Sequence, residues 1–151
     1  MFDNSFMDRA LEIANMAASA GQVPVGAVVV RAGRIVGEGG NLTRASAAPP
    51  DPTGHAEIVA IREAARTLGQ ERLGDCDLWV TLEPCAMCAG AIAHARMARV
   101  YYGAADAKGG AVESGVRLFE QPTCLHRPEV YSGIAEERCA ALLRDFFGAR
   151  R

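Results

Sequence analysis

Apolar residues recur at helical spacing from the start of the chain. Phe6, Ala10, Ile13, Ala14 and Ala17 share one face of a helix predicted over residues 5–20, and Gly21 follows as its stop. Residues 25–30 are a short β-branched run. Arg31-Ala32-Gly33 makes a tight turn into a second strand at 34–38, so the chain opens as helix and hairpin. Residues 39–54 turn to Gly, Ser, Ala, Pro, Asn and Asp and read as a loop, with Pro49-Pro50-Asp51-Pro52 forbidding regular structure. A helix over 54–68 follows, with Ile58, Ile61, Ala65 and Leu68 as its expected buried stripe. The apolar run 78–82, including Trp79, is short enough for a buried strand. Pro84 is expected to open a helix at its first position and to run to about Met97. Residues 100–103 form a further strand and 116–120 a short helix, with a fifth strand at 129–132. A closing helix over 135–147 turns Cys139, Leu142, Leu143 and Phe146 inward. Helices alternating with strands after a hairpin predict an α/β fold with a mixed sheet covered on both faces. With no repeat or linker in view, residues 1–151 read as one domain.

Composition narrows the classes. The 151 residues suffice for one substantial core, and half of them are apolar, spread along the whole length. No stretch reaches the roughly 18 to 20 continuous apolar residues of a membrane span, so no membrane partner is expected. Residues 1–9 carry acidic groups and no apolar block, which points away from a secretory signal and toward the cytoplasm. In that compartment five cysteines, an odd number, speak for metal binding or packing before disulfides. The formal charge of −2 does not argue for a nucleic-acid partner, although a net acidic protein can present a local basic face.

Two short segments carry chemistry because they combine. His55-Ala56-Glu57 opens one predicted helix and Pro84-Cys85-Ala86-Met87-Cys88 opens another. Cys85 and Cys88 are three apart, so on a helix their thiols share a face. Helix N-termini favour thiolates, and one imidazole with two thiolates gives zinc three ligands and leaves its fourth position for water. Zinc can lower the pKa of such a water from about 15.7 to near 7. Glu57, two positions after His55, lies on a different azimuth and is placed to carry protons, first as base and then as acid.

Blander readings stand beside this one. A Cys-x-x-Cys pair alone can be a redox couple, which leaves His55 and Glu57 idle. A structural zinc site needs a fourth ligand, for which Cys76, His94, Cys124 and His126 are available, none at clearly paired spacing. Apart from that possibility, Cys76, Cys124 and Cys139 read as buried or inert thiols. The conjunction of H-x-E with P-C-x-x-C is the pattern of zinc deaminases acting on nucleobases.

On these residues the chain resembles the cytidine deaminase superfamily and, within it, the bacterial tRNA-specific adenosine deaminases. The resemblance spans residues 24–28, 51–58 and 80–91, and is most discriminating at Tyr102-Gly103-Ala104-Ala105-Asp106-Ala107-Lys108-Gly109-Gly110-Ala111 and in Leu142-Leu143-Arg144-Asp145-Phe146-Phe147. It implies a three-layer α/β/α sandwich around a five-stranded mixed sheet, one zinc per chain on His55, Cys85 and Cys88, and Glu57 as catalytic residue. It also implies a homodimer with the substrate near its interface, acting on the wobble adenosine of a tRNA anticodon stem-loop. By the same resemblance Asn41 bonds the target base, Asp106 and Lys108 lie near flanking RNA, and Phe147, Arg150 and Arg151 line its path. Each has a plainer alternative: Asn41 can satisfy loop backbone, Asp106 can cap a turn, and the Phe pair can be core. The segment between Asn41 and His55 carries an extra stretch at 45–50 close to where substrate enters, and Gly54 stands where alanine is commoner. A deaminase of a free base such as guanine or cytosine is the alternative that keeps the same zinc chemistry.

Overall fold

The opening amphipathic stretch forms α1, Ser5–Ser19, in a computed structural model that describes residues 4–45 and 49–148. Its buried face is Met7, Ala10, Leu11, Ile13, Ala14 and Ala17. Strands β1, Gly26–Arg31, and β2, Arg34–Gly40, pair antiparallel. The turn between them places Ala32 and Gly33 at φ of 50° and 78°, the left-handed pair that suits a two-residue hairpin. Next come α2, Ala56–Leu68; β3, Cys76–Leu82; α3, Ala86–Ala95; and β4, Arg99–Ala104. A single 3-10 turn at Leu118–Glu120 precedes β5, Glu129–Tyr131, and α4, Glu136–Gly148.

The five strands form one mixed sheet in the order β2-β1-β3-β4-β5. The β1 pairings are antiparallel, whereas β3-β4 and β4-β5 are parallel, with α3 as the crossover between β3 and β4. Period-two alternation divides the core. Ala27, Val29, Leu78, Val80, Val100 and Tyr102 pack with residues of α2 and α3, while Val28, Val30, Trp79 and Tyr101 pack with residues of α1 and α4. The result is a three-layer α/β/α sandwich. On the α1/α4 side Trp79 stacks on Tyr101 with ring centroids 3.9 Å apart, and Tyr101 stacks on Tyr131 at 5.0 Å.

Four sequence expectations are corrected. The buried stripe of α2 is Ala56, Glu57, Ala60 and Ala64, whereas Ile58, Ile61, Ala65 and Leu68 are only half-buried. The reason lies in β2, which extends through Gly40 into the stretch expected to be loop. A Cβ on Gly39 would come 2.4 Å from the Ala56 carbonyl oxygen and one on Gly37 2.4 Å from that of Ala60, so glycine and alanine bring helix and strand backbones together. Pro84 does not open α3. Cys85 is the N-cap, in extended backbone at φ −74° and ψ 177°, and Pro84 precedes it. The helix also ends before Met97, at Ala95, because Arg96 turns left-handed at φ 63°.

The close approach of β2 and α2 bears on the site, since the first turn of α2 carries His55 and Glu57. Gly39→Ala is expected to cost about 1–3 kcal/mol through overpacking against that turn. Denaturant unfolding measures it, and an unchanged midpoint would show that α2 can move aside freely.

Candidate active site

The two chemical segments meet at two helix N-termini. His55 is the N-cap of α2, in extended backbone at φ −70° and ψ 152°, and its carbonyl accepts the Val59 N–H at 3.0 Å. Cys85 plays the same part for α3, its carbonyl accepting the Ala89 N–H at 2.8 Å, and Cys88 lies one turn on. Cys85 Sγ and Cys88 Sγ stand 3.5 and 3.6 Å from His55 Nδ1. Zinc–sulfur and zinc–nitrogen bonds at a tetrahedral angle set sulfur and nitrogen about 3.6 Å apart. The three donors, His55 offering Nδ1, therefore fit one zinc ion.

Among the described residues this is the one group of three or more His, Cys, Asp or Glu side chains converging tightly enough for a metal. The possible fourth ligands lie outside this group: His94 is exposed on α3, and the others are engaged elsewhere or buried. His126 Nε2 lies 2.6 Å from the Met97 carbonyl oxygen, Cys124 Sγ donates to the His126 carbonyl, and Cys76 is fully buried. A closed four-ligand structural site is not formed there. All five thiols are free, and burial pushes Cys76 and Cys139 up to about 11, away from thiolate chemistry.

The site thiols behave as a pair. A hydrogen bond from Cys88 is the main cause that drives Cys85 down to about 5, against the opposing effect of burial, with the Cys88 N–H and His55 assisting. Cys88 is pushed upward by that same bond, by burial and by Glu57. Glu57 is 4 % exposed. Burial pushes its carboxyl up to about 7; Cys85 adds to that, while its own backbone N–H, His55 and the Cys88 thiol pull down. A carboxyl near neutrality beside a metal-ligand set is suited to taking up and giving back a proton.

Asn41, 9 % exposed, follows directly on β2, and its Oδ1 accepts the Ala56 N–H at 2.9 Å. Its amide oxygen thus satisfies an otherwise unpaired N–H of the first turn of α2 and fixes Asn41 beside His55 and Glu57. Gly54 is buried against Leu42: a Cβ there would lie 3.2 Å from the Leu42 carbonyl group and the Asp51 oxygen, a tight fit for any larger residue. Asp106 Oδ1 accepts the N–H groups of Lys108 and Gly109 at 3.1 and 3.0 Å, so it does cap a turn, and it holds Lys108 on the exposed tip. Phe147 is 48 % exposed while Phe146 is buried, edge to face with it and covered by the Arg44 guanidinium at 5.6 Å. Only one of the Phe pair is core. Arg150 and Arg151 lie outside the described residues.

Sequence reasoning missed Glu83. This carboxylate is 2 % exposed and accepts from the N–H groups of Asp106, Val112, Glu113 and Ser114 and from Ser114 Oγ, at 2.9 to 3.1 Å. Burial raises its pKa, but the hydrogen bonds together outweigh that and leave it below the ordinary glutamate value. The one available signal was an acidic side chain between an apolar strand and a proline. Its partners, more than twenty residues on, gave none.

The Cytidine and deoxycytidylate deaminase zinc-binding region model matches residues 1–104, covering every zinc-site residue described above. The chain belongs to this deaminase family. A tRNA-specific adenosine deaminase of Agrobacterium fabrum is 57 % identical over 146 residues, covering 97 % of this chain and 94 % of that one. A solved structure from studies of A-to-I editing by tRNA:A34 deaminases superposes with a TM-score of 0.89 at 56 % identity, covering 93 % of this chain and all of the other. A guanine deaminase of Bacillus subtilis superposes less completely, with a TM-score of 0.64 at 44 % identity over 70 % of this chain and 66 % of its own. The family match agrees with the zinc-deaminase pattern and with the five-stranded α/β/α architecture.

Proposed function

We propose that this protein hydrolytically deaminates the wobble adenosine of a tRNA anticodon loop to inosine, acting as one deaminase domain. The observation that carries the reading is the buried Glu57 beside His55, Cys85 and Cys88, in a chain resembling tRNA-specific adenosine deaminases along nearly its whole length. His55, Cys85 and Cys88 hold one zinc per chain. Zinc, when bound, supplies an acidified water and Lewis-acid polarisation. Glu57 takes a proton from the attacking water and delivers it to N1 of the purine, then takes the proton of the new C6 hydroxyl and passes it to the departing amine, so that water adds at C6 and ammonia leaves. Asn41 uses its remaining amide N–H groups to orient the base, because its oxygen is already committed to Ala56. Asp106, Lys108 and exposed Phe147 contact the flanking loop. A single-stranded anticodon loop suits this arrangement, since extracting an unpaired base costs least.

Two further parts of the reading concern assembly and place. We infer that two copies pair, with Ile58, Ile61 and Ala91 on the outer faces of α2 and α3 at the contact; these residues are half-buried in one copy. Sedimentation at graded concentration tests this. The protein acts in the cytoplasm, where its substrate is found. No helix among the described residues is long and apolar enough to cross a membrane.

The likeness to a guanine deaminase favours a second reading, deamination of a free base by the same zinc site. One assay separates the two: zinc-loaded protein is given an arginine tRNA anticodon stem-loop in parallel with free guanine, cytosine and adenosine. Inosine is expected in the stem-loop alone. Conversion of a free base with the stem-loop untouched would overturn the tRNA reading and leave the zinc chemistry standing.

A further inference from the structure

We propose that Glu83 is a positioning residue, tying the turn that presents Asp106 and Lys108 to the strand end that leads into the metal ligand Cys85. This rests on the tRNA reading above.

Four backbone N–H groups and one hydroxyl from residues 106–114 converge on the two oxygens of Glu83, while the next residues of the same strand end pair with the same loop. The Pro84 carbonyl accepts the Ala111 N–H at 2.9 Å, and Cys85 pairs antiparallel with Gly110 in an isolated bridge. Carboxylate, proline carbonyl and metal ligand thus stand in three successive positions, and all three engage one loop. Gly110 makes room for the arrangement: a Cβ there would come 2.5 Å from Glu83 Cδ and 2.4 Å from the Asp106 carbonyl oxygen. The loop is committed at its far end as well, where the Tyr102 hydroxyl donates to Glu113 at 2.5 Å.

The donor pattern requires a carboxylate. An ionised carboxylate offers acceptors only, so both Glu83 oxygens can face N–H groups, whereas a glutamine must turn its NH2 toward one of those donors. The tether therefore fails on one side in Glu83→Gln at unchanged side-chain size. Because the loop carries Asp106 and Lys108 but no metal ligand, releasing it should weaken RNA capture more than chemistry at a base already bound.

The test is Glu83→Gln in zinc-loaded protein, with Ser114→Ala as a milder variant that removes only the hydroxyl from the cradle. Zinc content, amide hydrogen exchange and separate kcat and KM on the anticodon stem-loop are read. We expect stoichiometric zinc, at least about tenfold faster exchange at residues 106–114, and KM raised about tenfold with kcat within about threefold. Ser114→Ala should move exchange and KM in the same direction by less. Unchanged exchange, or a fall in kcat with KM unaltered, overturns the proposal. If Glu83→Gln does not fold, Ser114→Ala combined with Lys108→Ala decides: KM effects that fail to add support a shared path, and additive ones overturn it. A wild type inactive on the stem-loop but active on guanine would instead refute the tRNA reading. Hydrogen exchange at residues 106–114 would then decide alone whether Glu83 holds the turn, unchanged exchange overturning that role.

Discussion

Glu57→Ala is expected to lower kcat by about a hundredfold to ten-thousandfold while leaving one zinc ion per chain. Three features of the site lead there. Glu57 sits in the first turn of α2, two residues beyond His55, and lies outside the converging group that fits the metal, so its loss takes away no ligand. It is buried, and its carboxyl is pushed up toward neutrality, the range in which one group can take a proton and return it. Its neighbours, the half-buried and buried thiols of Cys85 and Cys88, would be committed to the metal and so unable to take over a proton shuttle. Kinetics on the anticodon stem-loop, paired with elemental analysis of the same sample, measures both halves. Near-normal turnover would remove Glu57 from the chemistry, and loss of zinc in step with activity would make it a ligand after all.

Cys88→Ala should show the complementary pattern, losing metal and activity together. Cys88 is fully buried, and its sulfur is one of three donors around a single position. Outer partners of metal ligands already account for about 10- to 100-fold in affinity, so losing a ligand itself should weaken zinc binding by more than about 100-fold. Truncating the CH2–SH side chain to CH3 removes a single heavy atom, so the fold should persist while elemental analysis finds the protein largely free of zinc. Retention of stoichiometric zinc would mean that another donor completes the site. The two substitutions together distinguish the group that moves protons from a group that holds the ion.

The metal site was legible because its information is local. His55 with Glu57 and Cys85 with Cys88 are each within one helical turn, and a helix start follows each first member. What the sequence hid depends on distant partners. The α2 stripe was misread because pattern reasoning favours large apolar residues such as Ile58 and Ile61. The contact that orients the helix is instead made by Ala56, Ala60 and Ala64 against Gly37 and Gly39, where the absence of side chains is the interaction. Pro84 suggested a helix start by its own preference. Its carbonyl, however, is drawn into pairing with Ala111, and the N-cap falls on Cys85 instead. Glu83 was invisible for the same reason, its donors lying at residues 106–114. Phe146 and Phe147 are adjacent and alike in sequence, and only helical phase separates the core residue from the exposed one.

The outer strands of the sheet also govern how copies can associate. At one margin β5 has only three residues, and at the other β2 has a register irregularity opposite Val29 and Val30, three glycines, and the charged Arg34 and Glu38, the latter clasped by Arg9. Short, kinked or charged margins are poor templates for a further strand. Sheet growth from molecule to molecule is therefore disfavoured, and concentrated protein should form discrete species that dissociate on dilution instead of fibrils.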